Sequence, residues 1–127
     1  MKTAILFPGQ GSQKAGMGKD AFDHSESARS VFQKADQALN ESISELCFNG
    51  PQEQLNLTAN TQPALLVTSA ALATVVAEKT KLDIVALAGH SLGEYTALWF
   101  SGALDIETAV KLVRKRGQAM QSATPEG

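Results

Sequence analysis

The stretch Ile84-Val85-Ala86-Leu87-Ala88-Gly89-His90-Ser91-Leu92-Gly93 decides the fold. Its first half is an unbroken apolar run ending in glycine, which is consistent with a central parallel strand covered on both faces. Its second half, Gly89 to Gly93, has the form Gly-x-Ser-x-Gly and stands directly before a helical pattern over residues 91–100, stopped by Ser101-Gly102. A serine between strand and helix sits on a sharp, strained turn, and flanking glycines keep the crossing backbones from clashing. The hydroxyl of Ser91 is then exposed at the strand's C-terminal end, above helix amides whose dipole favours an oxyanion. A chance pentapeptide is the competing explanation, and the strand-turn-helix context argues against it. His90 is a tempting base, but adjacent residues on a tight turn direct their side chains apart. It reads as structural or as a wall of the site, not as the base.

Outward from this turn, Thr3 to Phe7 forms a second short apolar run, bounded by Pro8-Gly9, that suits a buried strand. Residues 10–18 form a glycine-rich loop. Ala28, Val31, Phe32, Ala35 and Leu39 recur at helical spacing over residues 27–39. A shorter helix is expected over 42–48, closed by Asn49-Gly50-Pro51. Thr61-Gln62-Pro63 opens a long helix, with proline in its first turn, that runs to Lys79 and is apolar on nearly every side. Asp105 caps a last helix through Gln121, and residues 123–127 read as a loop. Strands alternating with helices in this order give an α/β fold, a parallel sheet flanked by helices.

Composition narrows the function. A chain of 127 residues with 43% hydrophobic content supports one small domain. The net charge of −2 offers no basic field for a nucleic acid, and the short Arg114-Lys115-Arg116 run reads as a solvated helix face. Cys47, the single cysteine, lies between Leu46 and Phe48 and reads as a small buried hydrophobe in a reducing compartment. The apolar start is too short for a signal peptide and no segment reaches membrane-spanning length, so no membrane partner and a cytoplasmic location are expected.

Two further features bear on chemistry. Phe7-Pro8-Gly9-Gln10-Gly11-Ser12-Gln13 follows the first strand, but position 14 is lysine where a dinucleotide loop has its third glycine. Gly11 and Gly16 are followed by Met17 and Gly18, so a Walker loop fails as well. Neither a cofactor nor a metal is called for. The loop is either a tight turn without chemistry or a second oxyanion donor beside Ser91. On the last helix, Ala109, Leu112, Val113, Arg116 and Met120 share one stripe, with Lys111, Arg114 and Lys115 opposite. Arg116 is thus expected in the middle of the apolar face, where a charge is costly without a partner. That partner is either an internal carboxylate or a substrate carboxylate held beside the serine.

Together, F-P-G-Q-G-S-Q, T-Q-P-A-L, G-H-S-L-G-E-Y and R-x-R-G-x-x-M-Q resemble, in order and spacing, the malonyl-CoA:acyl-carrier-protein transacylases. The resemblance spans essentially the whole chain. It implies the large, α/β-hydrolase-like subdomain of an acyltransferase, with Ser91 as the acylated nucleophile and the amides of Gln10 and Leu92 as the oxyanion hole. It also implies Arg116 as the binder of the malonyl carboxylate, and Gln62 and His90 as pocket residues. The partners it implies are malonyl-CoA and acyl carrier protein, in a ping-pong transfer serving fatty acid synthesis. Members of that family run to roughly 300 residues in two parts. Residues 1–127 correspond to the N-terminal part of the large subdomain. The ferredoxin-like subdomain, the C-terminal part and the catalytic histidine are then expected in a continuation or a companion chain. His24, the other histidine, lies on an early helix with a surface-like setting. Two other readings stay open at this point: a serine esterase or thioesterase of the α/β-hydrolase type, and a carrier-protein binding module without catalysis.

Overall fold

The structure, a computed structural model, describes residues 1–124. The order of elements is β1 (Lys2–Phe7), α1 (Lys19–His24), α2 (Glu26–Leu39), α3 (Ile43–Asn49), α4 (Gln52–Leu55), α5 (Thr58–Lys79), β2 (Asp83–Gly89), α6 (Leu92–Phe100) and α7 (Ile106–Ala123). The strands pair in parallel from Lys2 opposite Asp83 to Phe7 opposite Gly89, with one irregularity between Thr3 and Ala4. The parallel pair and its helices give the expected α/β class. Ala123 still belongs to α7, so the expected loop over 123–127 starts later than its sequence suggests. Residues 125–127 of it lie outside the described residues.

The helix boundaries follow local chemistry. Ser25 caps α2 by accepting from the Ala28 amide at 3.1 Å, and Asn40 ends it in the left-handed conformation. Asp105 caps α7 through the Thr108 amide at 2.7 Å. Helix α5 starts at Thr58, three residues before the expected Thr61, because the Leu57 carbonyl accepts from the amides of Asn60 and Thr61 at 2.8 Å each. Pro63 therefore lies in the second turn, not the first. The early helix expected at His24 is α1, whereas the short α4 carries too little apolar periodicity to be read from sequence.

The core is mainly helical. Phe32, Ile43, Leu55, Leu66, Val67, Leu92, Val110 and Val113 are almost wholly buried where α2, α3, α5, α6 and α7 meet. Phe22, Phe32 and Phe48 close one end, with ring centroids 4.9–5.9 Å apart. Cys47 is fully buried, and burial pushes its thiol up to about 12, so it stays protonated and inert. In α5, residues 61–68 are buried all round, as the sequence suggests. Leu72 and Val76 farther along are about half exposed.

Strand β2 departs from expectation. Val85 is 57% exposed and Ile84 37%. Among the described residues β1 is its sole strand neighbour, so a central-strand composition occupies an edge position. Leu6, Leu72 and Val76 are also exposed and line one open groove with Phe7 and Leu82.

Helix α7 also turns differently from its simple helical projection. Its buried stripe is Ile106, Ala109, Val110, Val113 and Gly117, whereas Leu112 and Met120 are exposed. Arg116 flanks this stripe and does not sit at its centre. Arg114, expected in solvent, is packed, with a side chain only 12% exposed. The cause lies in α5. Pro63 has no amide to give the Ala59 carbonyl one turn earlier, and Arg114 Nη1 donates to that carbonyl at 2.5 Å. The same guanidinium donates to Asn60 Oδ1 at 2.9 Å and pairs with the Glu41 carboxylate. Burial lowers the Arg114 pKa without threatening its charge. Gly117 allows this approach, because a Cβ there would lie 2.8 Å from the Thr58 carbonyl oxygen and 3.0 Å from Ala59 Cα.

An exposed Gly→Ala change within a helix gains about 1 kcal/mol of helix propensity. At Gly117 the sign is expected to reverse, with a loss of about 1–3 kcal/mol from backbone overlap. Thermal unfolding of Gly117→Ala is the check. A higher midpoint than the parent's would contradict this packing of α7 on α5.

Candidate functional site

The strand-helix turn is held by backbone alone. The His90 amide donates to the Phe7 carbonyl at 3.1 Å, extending the β1–β2 ladder by one step. The amides of Gly93 and Glu94 donate to the carbonyls of His90 and Ser91 at 3.0 Å each, which starts α6. A Cβ on Gly93 would lie 2.2 Å from the Phe7 carbonyl oxygen, and one on Gly89 would lie 2.0 Å from Gly93 C. Both obstacles are backbone atoms, which cannot swing aside. Ser91, between them, has φ 53° and ψ −101°. Asn40 is the other non-glycine residue at positive φ among the described residues, and it adopts the ordinary left-handed helix end. Ser91 is outside the favoured regions, a state that costs about 1–3 kcal/mol and persists where surrounding structure imposes it.

The glycine-rich loop abuts this turn. A Cβ on Gly9 would fall 2.4 Å from the His90 carbonyl oxygen and 2.8 Å from His90 Nδ1. Gln10 thus follows directly from the point of contact. Leu92 is the first residue of α6, where amides have no intrahelical acceptor. Among the described residues, the backbone amides of Gln10 and Leu92 donate no hydrogen bond.

Arg116 reaches the serine from α7. Its Nη2 donates to Ser91 Oγ at 2.9 Å and its Nη1 donates to Gln62 Oε1. The guanidinium carbon lies 5.2 Å from the Tyr95 ring centroid, a cation–π contact. The two ion pairs among the described residues are Lys19 with Asp23 and Arg114 with Glu41. Arg116 has no carboxylate partner among the described residues, so no internal ion pair of the kind left open by the sequence occurs among them.

Ser91, Arg116, Gln62 and Gln10 are therefore brought together. Gln62 is only 1% exposed, and both ends of its amide are engaged inside the protein, Nε2 donating to Gln10 Oε1 at 3.1 Å. His90 is exposed, and among the described residues no hydrogen bond joins it to Ser91. His24 is exposed on α1, its ring Nδ1 2.9 Å from the Asp20 carbonyl oxygen, on another element altogether. No cluster of His, Cys, Asp and Glu suited to a metal occurs among the described residues. No helix there is long and apolar enough to cross a membrane.

Three members of this constellation escape sequence reasoning. Tyr95 stands one helical turn after Ser91, a spacing that alone would have placed it near the site. Thr58 accepts from Gln10 Nε2 at 3.0 Å, and Arg114 ties α7 to the start of α5. Nothing short of tertiary packing reveals the last two.

Fold and turn together define an α/β protein with a serine elbow between a strand and a helix, faced by an arginine that no carboxylate among the described residues neutralises. The chain belongs to the acyl transferase domain family, whose model matches residues 5–127. It is 50% identical over 129 residues to the malonyl CoA-acyl carrier protein transacylase of Bacillus subtilis (strain 168), across 99% of this chain and 39% of that protein. It is 46% identical to the protein of the same name from Staphylococcus aureus (strain N315), across 99% of this chain and 40% of the relative. The crystal structure of an acyl-carrier-protein-S-malonyltransferase from Bartonella henselae is similar, with a TM-score of 0.93 and 44% identity over 98% of this chain and 40% of that one. A type II PKS acyl-carrier protein complex with its malonyl-transacylase is also similar, with a TM-score of 0.91 and 42% identity over the same shares. The chain spans about two-fifths of the length of the relatives it matches.

Gly93→Val places branched carbons against the Phe7 and Pro8 carbonyls, and a loss of roughly 2–3 kcal/mol or more is expected. Ser91→Ala removes one hydroxyl and its contact to Arg116, so stability within about 1 kcal/mol of the parent is expected. Thermal unfolding of the two variants side by side tests the placement. A Gly93→Val protein that melts with the parent would contradict it.

Proposed function

We propose that these residues form the N-terminal part of the large subdomain of an enzyme that moves a malonyl group from coenzyme A to acyl carrier protein. The observation that carries this reading is the Arg116 guanidinium, without a carboxylate partner among the described residues and 2.9 Å from Ser91 Oγ. A guanidinium binds a carboxylate through two parallel hydrogen bonds, which suits an acyl group ending in a carboxylate and is wasted on a neutral ester. The names of the relatives support malonyl-CoA and acyl carrier protein as the two substrates. The reading extends to fatty acid synthesis as the pathway served and to a cytoplasmic setting.

In this reading Ser91 Oγ attacks the thioester carbonyl, and the carbonyl oxygen becomes an oxyanion received by the amides of Gln10 and Leu92. Collapse of that intermediate breaks the C–S bond, releases the thiol of coenzyme A and leaves malonyl-Ser91. The pantetheine thiol of the carrier then attacks the ester and regenerates the serine, in a ping-pong sequence. Arg116 exchanges its bond to Ser91 for the malonyl carboxylate, and the buried Gln62 holds the guanidinium in place. A serine hydroxyl needs a base at neutral pH. The described residues place none on Ser91, so the proton is taken by a group outside them, in the part of the enzyme that completes the fold.

Two measurements test this. In a chimera joining residues 1–127 to the remaining length of the Bacillus subtilis relative, Arg116→Ala is expected to reduce kcat/KM for malonyl-CoA by roughly 30- to 900-fold, the equivalent of about 2–4 kcal/mol. Acetyl-CoA, which has no carboxylate, is expected to change little. Equal losses for both would make Arg116 a structural residue and defeat the reading. For the 127-residue chain alone, intact mass after incubation with malonyl-CoA is expected to show no rapid, stoichiometric acylation. Residual slow reaction is compatible with amides and guanidinium acting without a base. Fast stoichiometric acylation would require a base within the chain.

A further inference from the structure

We propose that Thr58 is a positioning residue for Arg116, acting through two glutamine side chains, an inference that rests on the carboxylate-binding role given to Arg116 above. The path is continuous. Thr58 Oγ1 accepts from Gln10 Nε2 at 3.0 Å, Gln10 Oε1 accepts from Gln62 Nε2 at 3.1 Å, and Gln62 Oε1 accepts from Arg116 Nη1. Arg116 Nη2 then reaches Ser91 Oγ at 2.9 Å. Thr58 and Gln62 stand four residues apart on the same face of α5, and both are buried, at 2% and 1% exposure.

Direction matters in this series. A guanidinium only donates, so Gln62 must turn its oxygen toward Arg116 and its amino group away. That amino group needs an acceptor, and Gln10 supplies its own carbonyl. Gln10 must then place its amino group on a third acceptor, which Thr58 Oγ1 provides. If Gln10 were reversed, two amino groups would face each other at Gln62. If Gln62 were reversed, its amino group would face the guanidinium. Thr58 Oγ1 thus receives the last amino group of an arrangement whose direction the guanidinium sets, and its loss leaves the Gln10 amino group without this acceptor and loosens the Gln10–Gln62 contact behind Arg116. The Gln10 main chain is held separately, by the bond from the Gly11 amide to Gln13 Oε1 at 2.8 Å and by the contact of Gly9 with His90. Loosening the side-chain series therefore disturbs the guanidinium more than the oxyanion amide.

A consequence for specificity follows. Thr58 controls how well Arg116 meets a carboxylate and has little effect on an acyl group that lacks one. Its contribution belongs to selectivity between malonyl and acetyl groups, although it touches neither.

The test is Thr58→Val and Thr58→Ser in the chimera defined above, with kcat/KM measured for malonyl-CoA and acetyl-CoA. Valine keeps the shape and removes the acceptor. We expect the malonyl-to-acetyl ratio to fall roughly 3- to 10-fold in Thr58→Val, the scale of one hydrogen bond, and to stay within about twofold of the parent in Thr58→Ser. A purely structural role would lower both substrates together and leave the ratio unchanged. An unchanged ratio in Thr58→Val, or a serine variant as impaired as valine, overturns the proposal. If Arg116→Ala passes its own test while Thr58→Val does not, the series fails and the carboxylate site stands. A folded parent without malonyl preference overturns both.

Discussion

Everything at the site depends on how closely the end of β1 approaches the start of α6. The Phe7 carbonyl accepts the His90 amide at 3.1 Å and leaves only 2.2 Å for any Cβ on Gly93. With glycine there, the chain reverses from strand to helix within two residues and forces Ser91 to φ 53°. The same approach brings the loop after β1 against His90, with Gln10 directly after the point of contact. The candidate nucleophile, its strain and the candidate oxyanion donors are thus consequences of one backbone contact.

A second constraint places the cation. Pro63 withdraws one amide from α5, Arg114 takes the carbonyl left over at Ala59, and Gly117 allows α7 to lie directly on that turn. Arg114 has the Glu41 carboxylate for its charge. Arg116, two residues on and about 200° around the helix, has only neutral partners among the described residues: Ser91, Gln62 and the Tyr95 ring. Two arginines on one helix therefore have opposite roles, one satisfied inside the protein and one held ready. A half-buried guanidinium without a counter-ion is electrostatically costly, and in the proposed function an anionic substrate offsets that cost.

Much of this was legible in the sequence, because local patterns dictate it. The apolar run before Gly89, the glycines around Ser91 and the Asp105 cap each act within a few residues. What was misread is nonlocal. The stripe on α7 was shifted because Leu112 and Met120 are apolar but find nothing to pack on, whereas Gly117 is buried by the approach of α5. Arg114 looked solvated because its partners lie more than 50 residues away. The start of α5 was placed late because proline is commonest in a first turn. β2 has a central strand's composition and an edge strand's exposure, a mismatch of the kind edge strands normally avoid with charge. That apolar surface is consistent with a fold completed by the additional length its relatives possess.

The central claim is that Ser91 carries an acyl group whose far carboxylate is held by Arg116. A crystal structure of the chimera trapped after exposure to malonyl-CoA tests it most directly. The account predicts density continuous with Ser91 Oγ, the ester oxygen within hydrogen-bond distance of the Gln10 and Leu92 amides, and both carboxylate oxygens on the Arg116 guanidinium with Gln62 still its neighbour. An acyl group on another residue, or a carboxylate bound elsewhere while Arg116 keeps its bond to Ser91, would contradict it.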